Sequence, residues 1–575
     1  MKNLSFIILS SLLLVCAICK AEASQKSSVV QGEITPDRKP MIILGGELGN
    51  SSATSIEDIR ANIGKLANKN LNTVLVPAYW DLIEPQEGRF DFSLIDEVID
   101  SAKENDLKVI FLWFGAWKNS MRCYAPEWVK RDINRFPRAR TAAGKPLEIL
   151  SPFSENVLKS DFTAFEALLN HIKNYDDSGT VIMIQVENEI GMLEEARDRS
   201  SLADKEYQKG VPIELMVYIS SHKDSLHPEL AKRWKNNGSK MAGSWMEVFG
   251  DDVYTDEYFM AWNYGKYVEN LASGGKLILK VPFYLNAALN SRERKPGEYP
   301  SAGPLAHLKD IWHAAAPSID FLSPDIYDSG FETWVAQYAL PDNILFVPEV
   351  KRDLNNSAQA YYIIGHHDAL GISPFSIENG DEDYFKNLSM AYATISQLIP
   401  LMTTNGETVN SGCGKENFWK DGVILNIDNP STIIEDGNVK ITLSHFFTLP
   451  WDSRASDKNN WKDSGAILLK IAPEEYILAG TGVVAKFEDI SENSSSLDLG
   501  EDGFLSHGST GEPKNRAENH SGRIGLANVE EIKINPDGSF QRLRTMNGDE
   551  THQGRHARIS VDDHKILHIK TYQYK

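Results

Sequence analysis

Two carboxylates nearly adjoin in the stretch QVENEIG (185–191), where Asn188 separates Glu187 from Glu189. They follow the apolar run VIMI (181–184), and a second apolar run, NILFVPE (343–349), also ends in an acid, Glu349. Carboxyl groups at the tips of buried strands can divide a task. One stays neutral and gives a proton, while the other is ionised and attacks, or activates water. Cleavage of a glycosidic bond needs such a pair, with amides to hold ring hydroxyls and flat apolar faces to grip the ring. The chain has no run of Cys and His spaced for a metal and no glycine-rich phosphate turn after its first strand, where GGELGN lacks the G-x-G-x-x-G spacing. No metal and no cofactor are therefore expected. His366-His367-Asp368 has the look of a ligand set, but neighbours on an extended chain face opposite ways, and a structural role is expected.

Those acids need a frame. Eight short apolar runs read as strands: 41–46, 72–77, 108–114, 181–186, 281–286, 319–327, 343–349 and 370–375. Near-continuous apolar strands are buried on both faces, as in parallel sheets covered by helices. Helical spacing fills the gaps. Ser55 caps Ile56, Ile59, Ile63 and Leu66, with Asp58 placed for a capping-box-like contact. Leu94, Ile95, Val98 and Ile99 form a second stripe, and Phe162, Phe165, Leu168, Leu169 and Ile172 a third. The pattern predicts a (β/α)8 TIM barrel over residues 24–402. The long gap between the fourth and fifth strands, with its aromatic run YTDEYFMAWNYGKYV (254–268), is expected to cap the top face and shape the pocket. Residues 403–416 read as a linker. Residues 417–575 carry short β-like segments between Gly, Asn and Asp turns, which predicts a β-sandwich; within it, 488–520 reads as a long polar loop.

Function in such a barrel gathers at the C-terminal ends of the strands. Glu47 ends the first. Tyr79 and Trp80 end the second, with Glu84 beyond. Trp113 and Phe114 end the third, followed by Trp117, Lys118 and Asn119. Glu187, Asn188 and Glu189 end the fourth and Asn286 the fifth. Asp325 and Tyr327 lie on the sixth, Glu349 closes the seventh, and Phe375 and Ser376 leave the eighth. Candidate substrate contacts are Tyr79, Trp80, Glu84, Trp113, Lys118, Asn119, Glu187, Asn188, Asn286 and Tyr327. Glu187 and Glu189 share strand parity, so the residues alone do not say which is the acid.

The bulk composition narrows the field. Of 575 residues, 42% are apolar, enough for a large core, and the 12 Trp suit both core filling and sugar platforms. The net charge of −21 opposes binding to nucleic acid. The first residues, with Lys2, an apolar run over Phe6–Ile18 and Ala21-Glu22-Ala23, read as a signal peptide cut after Ala23, which implies export to the periplasm or beyond. Lipidation at Cys16 or Cys19 is the less favoured reading, because Val15 and Ile18 are large where a lipoprotein signal needs a small residue. No other run reaches membrane-span length. Cys123 and Cys413 remain after cleavage and could pair, though nothing in the spacing requires it. A homo-oligomer stays open.

The stretches PAYWDLIEPQEGRFDFS (77–93), QVENEIG (185–191) and VPEV (347–350) resemble barrel glycosidases of the clan that includes glycoside hydrolase family thirty-five, the β-galactosidases. In the tail, EEYILAGTGVVAKF (474–487) and RTMNGDETHQGR (544–555) resemble the C-terminal β-domain of a bacterial branch of that family. The resemblance implies that Glu189, which follows the Asn, is the acid/base and that Glu349 is the nucleophile of a retaining enzyme, with carboxyls about 5–5.5 Å apart. It further implies Asn188 at the ring 2-hydroxyl and Tyr327 orienting Glu349. Glu187 then becomes a supporting or ring-hydroxyl contact. The chain departs from the family after the third strand, where FLWFGAWKNSM stands in place of a CAEW motif, and GELGN half matches a GELHY-like first strand. Trp113, Lys118 and Asn119 are therefore assigned by position only. The function implied is an exo-β-galactosidase acting on oligo- or polysaccharides. The alternatives are another retaining β-glycosidase (β-glucosidase, arabinopyranosidase or endo-glycanase) and a non-catalytic glycan-binding protein.

Overall fold

The structure, a computed structural model, describes residues 41–290, 293–404, 407–408, 418–449, 451–491, 522–561 and 563–574. The expected leader (1–23), Cys413, and most of the linker and of the 488–520 loop lie outside the described residues.

Each of the eight apolar runs forms a strand: β1 (Ile43–Glu47), β2 (Thr73–Tyr79), β3 (Lys108–Phe114), β4 (Val181–Gln185), β5 (Phe283–Ala288), β6 (Phe321–Ile326), β7 (Phe346–Val350) and β8 (Gly371–Pro374). They pair in chain order, all parallel, and β8 closes back on β1 with Ile43 opposite Gly371. The apolar runs are continuous because one face of each strand fills the barrel and the other packs on helices. Helix α1 (Ile56–Leu66) starts where expected. The Ser55 hydroxyl accepts the Asp58 N–H at 3.1 Å and donates to the Asp58 carboxylate at 2.8 Å, while Ile59, Ile63 and Leu66 are buried. Helix α2 (Ser93–Glu104) buries Ile95, Val98 and Ile99, and α3 (Glu155–Tyr175) buries Phe165, Leu168, Leu169 and Ile172.

The aromatic run after β4 has another place than expected. It forms part of α4 (Val253–Ile278), a 26-residue helix that returns the chain from β4 to β5, and Tyr258, Phe259, Trp262, Tyr264 and Tyr267 are buried in it. Tyr264 and Tyr267 pack edge-on against Trp117 after β3, while Tyr258 and Phe259 pack on Phe249 and Trp245 of the same insertion. A helix apolar on nearly all sides belongs inside a core.

The tail forms two sheets. Six strands lie in the order β9 (Trp419–Leu425), β12 (Ser464–Ala472), β13 (Glu475–Gly480), β18 (Lys565–Tyr574), β15 (Arg523–Ile534) and β16 (Phe540–Thr545). Four lie in the order β10 (Ser431–Asp436), β11 (Val439–His445), β14 (Val483–Asp489) and β17 (Ala557–Ile559). Between the sheets sits a core of Trp419, Ile441, Leu443, Leu468, Leu478 and Leu567. On its opposite face the larger sheet buries Ile424, Ile467, Leu469, Ile477 and Ile566 in one continuous core with the barrel. The sandwich thus docks through apolar side chains that alternate along its strands.

Helix α5 (Asn356–His366) carries that dock. A Cβ on Gly365 would stand 2.6 Å from the Gly422 Cα, so the backbones meet where two glycines allow it. The buried Lys420 donates to the Ile364 carbonyl at 2.6 Å and to Asp368. His366 pairs with Asp421 at 2.7 Å. The two histidines therefore sit at a helix end, not on an extended chain, and His366 joins the two domains.

Candidate active site

Four carboxyls and one lysine meet at the C-terminal mouth of the barrel. Glu349, on β7, lies opposite Asp325 of β6 in strand register. Glu47, at the tip of β1, and Glu189, past the tip of β4, act electrostatically on the same pair, as does Lys118 from the loop after β3. All five side chains are buried. Burial disfavours charge, and like charges disfavour each other. Burial foremost, and then the Glu349 carboxyl, push Glu189 up to about 7; Lys118 and a hydrogen bond with Asp325 pull the other way. Glu47 and Asp325 are held well above the usual carboxylate range by burial and then by Glu349. Burial works against the charge on Lys118, but Glu349, Glu189, Glu47 and Asp325 outweigh it and keep the ammonium firmly protonated.

Two residues order this group. The Asn286 side-chain oxygen accepts the Glu189 backbone N–H at 3.0 Å, and its amide donates to Asp325 at 2.6 Å. Both ends of Asn286 are thus engaged with protein, and it positions the acids. The Tyr327 hydroxyl donates to Glu349 Oε1, and the same carboxyl is hydrogen-bonded to Glu47. Burial and the Glu349 charge raise the Tyr327 phenol far above its ordinary value, so it stays a donor.

Both side-chain atoms of the buried Asn188 amide have no hydrogen-bond partner among the described residues, and the buried oxygens of Glu47, Glu189, Asp325 and Glu349 that receive no N–H or hydroxyl donor face other carboxyls, with Glu47 hydrogen-bonded to Glu349 and Glu189 to Asp325. Buried polar groups are normally paired. An unpaired amide beside these carboxyl oxygens fits a ligand rich in hydroxyls.

The turn after β4 explains the QVENEIG sequence. β4 ends at Gln185, and Glu187 and Glu189 both adopt left-handed backbone with φ of 59° and 45°. Such conformations are costly for non-glycine residues and gather at functional sites. Strand alternation no longer applies there, so the two acids part despite their parity. Glu189 enters the pocket. Glu187 turns away and accepts the N–H groups of Ala116 (3.3 Å) and Trp117 (2.8 Å).

Four more expected contacts lie elsewhere. Tyr79 shares the outer face of β2 with Pro77 and lines a small space against Leu94, Ile95 and Val98 of α2. Trp80 donates to Glu84 at 2.9 Å, and Glu84 accepts the Gly88 N–H at 2.7 Å; together they tie the turn after β2. Trp113 faces out of the barrel, packs on Phe165 and donates to Asp161 of α3 at 2.9 Å. Period two along β2 and β3 puts these rings outside. With Glu187, the residues Tyr79, Trp80, Glu84 and Trp113 are thus withdrawn as ring contacts. Asn119 is exposed at the rim, and its N–H meets the Asn188 carbonyl at 3.2 Å. Glu47 and Asp325, placed at strand ends but left out of the candidate contacts, stand among the acids of the site. Tyr284, buried below them in β5 and facing the same carboxyls, carried no signal in its run VPFYLN.

A family model for glycoside hydrolase family 42, described as β-galactosidase, matches residues 52–248, which include Glu189. A domain of unknown function matches residues 388–558, from the end of the barrel into the sandwich. No curated protein matches in sequence. Among solved structures, the β-galactosidase of the psychrophilic Marinomonas ef1 is similar at 12% identity and TM-score 0.44, covering 63% of this chain and 60% of its own. That of Rahnella sp. R3 is similar at 14% and 0.45, covering 66% and 59%. The catalytic domain of a β-amylase from Paenibacillus polymyxa reaches 12% and 0.39, covering 59% and 94%. The chain thus spans about 60% of the length of the β-galactosidases it matches. The motifs pointed to family thirty-five; the family whose model matches is forty-two, and it does so over the part of the barrel that carries the acid turn.

Proposed function

We propose that this chain is a retaining exo-β-galactosidase that removes terminal β-galactosyl units from oligo- or polysaccharides. The observation that carries the reading is the pairing of two unlike acids. Glu189 is pushed up to about 7 and can hold a proton at neutral pH, while Glu349 takes the Tyr327 hydroxyl on Oε1 and meets only the neighbouring acid Glu47 besides. In the first step Glu349 Oε2 attacks the anomeric carbon, the glycosidic bond breaks, and Glu189 passes its proton to the departing oxygen. In the second, Glu189 takes a proton from water as the water oxygen displaces Glu349, and galactose leaves with its starting configuration. The Asn188 amide binds the ring 2-hydroxyl in this reading, which its lack of a protein partner supports. The choice of galactose is supported by the family-forty-two match, whose description is β-galactosidase.

A panel of nitrophenyl glycosides tests it. The β-galactoside is expected to give the highest kcat/KM. Faster β-glucoside or α-L-arabinopyranoside turnover would reassign the sugar, and galactose binding without turnover of any glycoside would leave a glycan-binding protein. Export after cleavage at Ala23 is part of the same proposal, and the N-terminal sequence of the secreted protein reports on it.

The pH profile gives a sharper check. The first step needs Glu189 protonated, so kcat/KM should fall as pH rises through about 7. The Lys118 charge lowers the Glu189 pKa. Removing it in Lys118→Met lets that pKa rise, so the proton persists to higher pH and the alkaline limb moves upward. A limb that stays put or moves down contradicts the coupling.

A further inference from the structure

The turn that presents Glu189 also holds the loop that presents Lys118, and it does so with three consecutive residues. The Glu187 carboxyl accepts from Ala116 and Trp117, the Asn188 carbonyl from Asn119 at 3.2 Å, and the Glu189 carbonyl from Ser120 at 3.1 Å. Only the first of these links is made by a side chain, so only it can be removed by substitution without touching the pocket.

Behind Glu187 stands a second buried carboxyl, Asp161 of α3. Its Oδ1 accepts the Trp113 indole at 2.9 Å and its Oδ2 accepts the Tyr267 hydroxyl of α4 at 2.7 Å. Glu187 and Asp161 are hydrogen-bonded to each other. Their oxygens also crowd Gly115: a Cβ there would stand 2.8 Å from both Asp161 Oδ1 and Glu187 Oε1 and 2.2 Å from the Trp113 indole nitrogen. Both carboxyls are buried, at 1% exposure or less. A hydrogen bond between two carboxyls requires a proton, since two carboxylates supply acceptors only. Burial and the neighbouring acid raise Glu187 well above its usual range in keeping with this.

We propose that Glu187 and Asp161 form a one-proton carboxyl pair that acts as a positioning device, anchoring the 115–120 loop so that Lys118 stands among the catalytic carboxyls. Neither acid touches the substrate. The pair rests on α3, β3 and α4, three elements of the rigid wall, and transmits their placement to a loop whose own backbone is irregular, with φ of 49° at Asn119 and 67° at Ser120. This inference rests on the proposed glycosidase reading for its kinetic arm alone.

Three variants test it: Glu187→Gln, Glu187→Ala, and Glu187→Ala combined with Lys118→Met. The Gln oxygen can still accept from Trp117 while its amide nitrogen, in place of the Oε1 that accepts from Ala116, donates to Asp161, so E187Q keeps the shorter of the two loop links and is expected to hold kcat/KM within about threefold. E187A leaves two N–H groups without their acceptor and should lose about 100-fold, the scale of a misplacement near 1 Å. If Glu187 acts through Lys118, its loss costs little once Lys118 is gone, and the two changes are strongly non-additive. Amide hydrogen exchange over residues 115–120 supplies an arm that needs no turnover: faster throughout in E187A, and in E187Q unchanged at Trp117, whose acceptor oxygen remains. Full additivity, exchange in E187A equal to that of the unmodified protein, or an E187Q as impaired as E187A would overturn the proposal. If the unmodified enzyme turns over no glycoside but the exchange pattern is as stated, the functional reading fails and the positioning device stands.

Discussion

Replacing Glu349 with Ala is expected to lower kcat/KM on an aryl β-galactoside by about 10⁴–10⁶-fold, the scale seen when an enzymatic nucleophile is removed. The fold should survive. Glu349 stands in a group of four carboxyls that one lysine only partly offsets, so its loss relieves repulsion on Glu47, Asp325 and Glu189. Small anions can occupy the space left by the carboxylate. Azide should restore part of the turnover and give α-galactosyl azide, because a single displacement replaces two. Activity within tenfold of the unmodified enzyme would remove Glu349 from the mechanism.

The second large effect belongs to Glu189. In Glu189→Ala the first step loses its proton donor. That loss should depend on how much help the leaving group needs. For an alkyl or sugar leaving group kcat/KM should fall by about 10³–10⁴-fold, near the upper range for acid catalysis. For a dinitrophenyl galactoside, whose leaving group departs unaided, it should fall less than about tenfold. The second step then limits, since no base activates water, and azide should accelerate it and yield β-galactosyl azide. Measuring kcat/KM across a leaving-group series in E189A and E187A separates the two acids of the QVENEIG turn. A leaving-group dependence confined to E187A would reverse their roles.

Much of the frame could be read from the chain because barrel strands are buried on both faces. Runs such as KVIFLWF at 108–114 and VIMIQ at 181–185 announce themselves, and the β3 bounds are those expected. The strand ends, and with them Glu47, Glu189, Asp325 and Glu349, follow from the same runs. Orientation could not be read. Tyr79 and Trp113 end strands, yet their side chains leave the barrel, because which alternating face points inward depends on closure, not on local pattern. Trp80 and Glu84 satisfy each other, which no spacing rule distinguishes from two sugar contacts. Glu187 takes the supporting one of its two expected places, and the residues alone could not separate it from Glu189 because the strand stops two residues before it and positive φ at 187 and 189 breaks the alternation they would share. Asp161, in the middle of an amphipathic helix, had no mark beyond being an acid at a position that proves buried. The aromatic run at 254–268 was likewise legible as apolar but not as wall or roof.

The central claim is that Glu349 bonds covalently to the sugar while Glu189 moves the proton. Incubation with dinitrophenyl 2-deoxy-2-fluoro-β-galactoside slows both steps but favours the first through its leaving group, so the intermediate accumulates. Proteolysis and mass spectrometry then locate the fluorosugar. The account predicts one label per chain, carried by Glu349, with activity returning as the adduct hydrolyses. A label on Glu47, Asp325 or Glu189, or rapid hydrolysis that releases α-galactose from the ordinary substrate with no adduct formed, would contradict it.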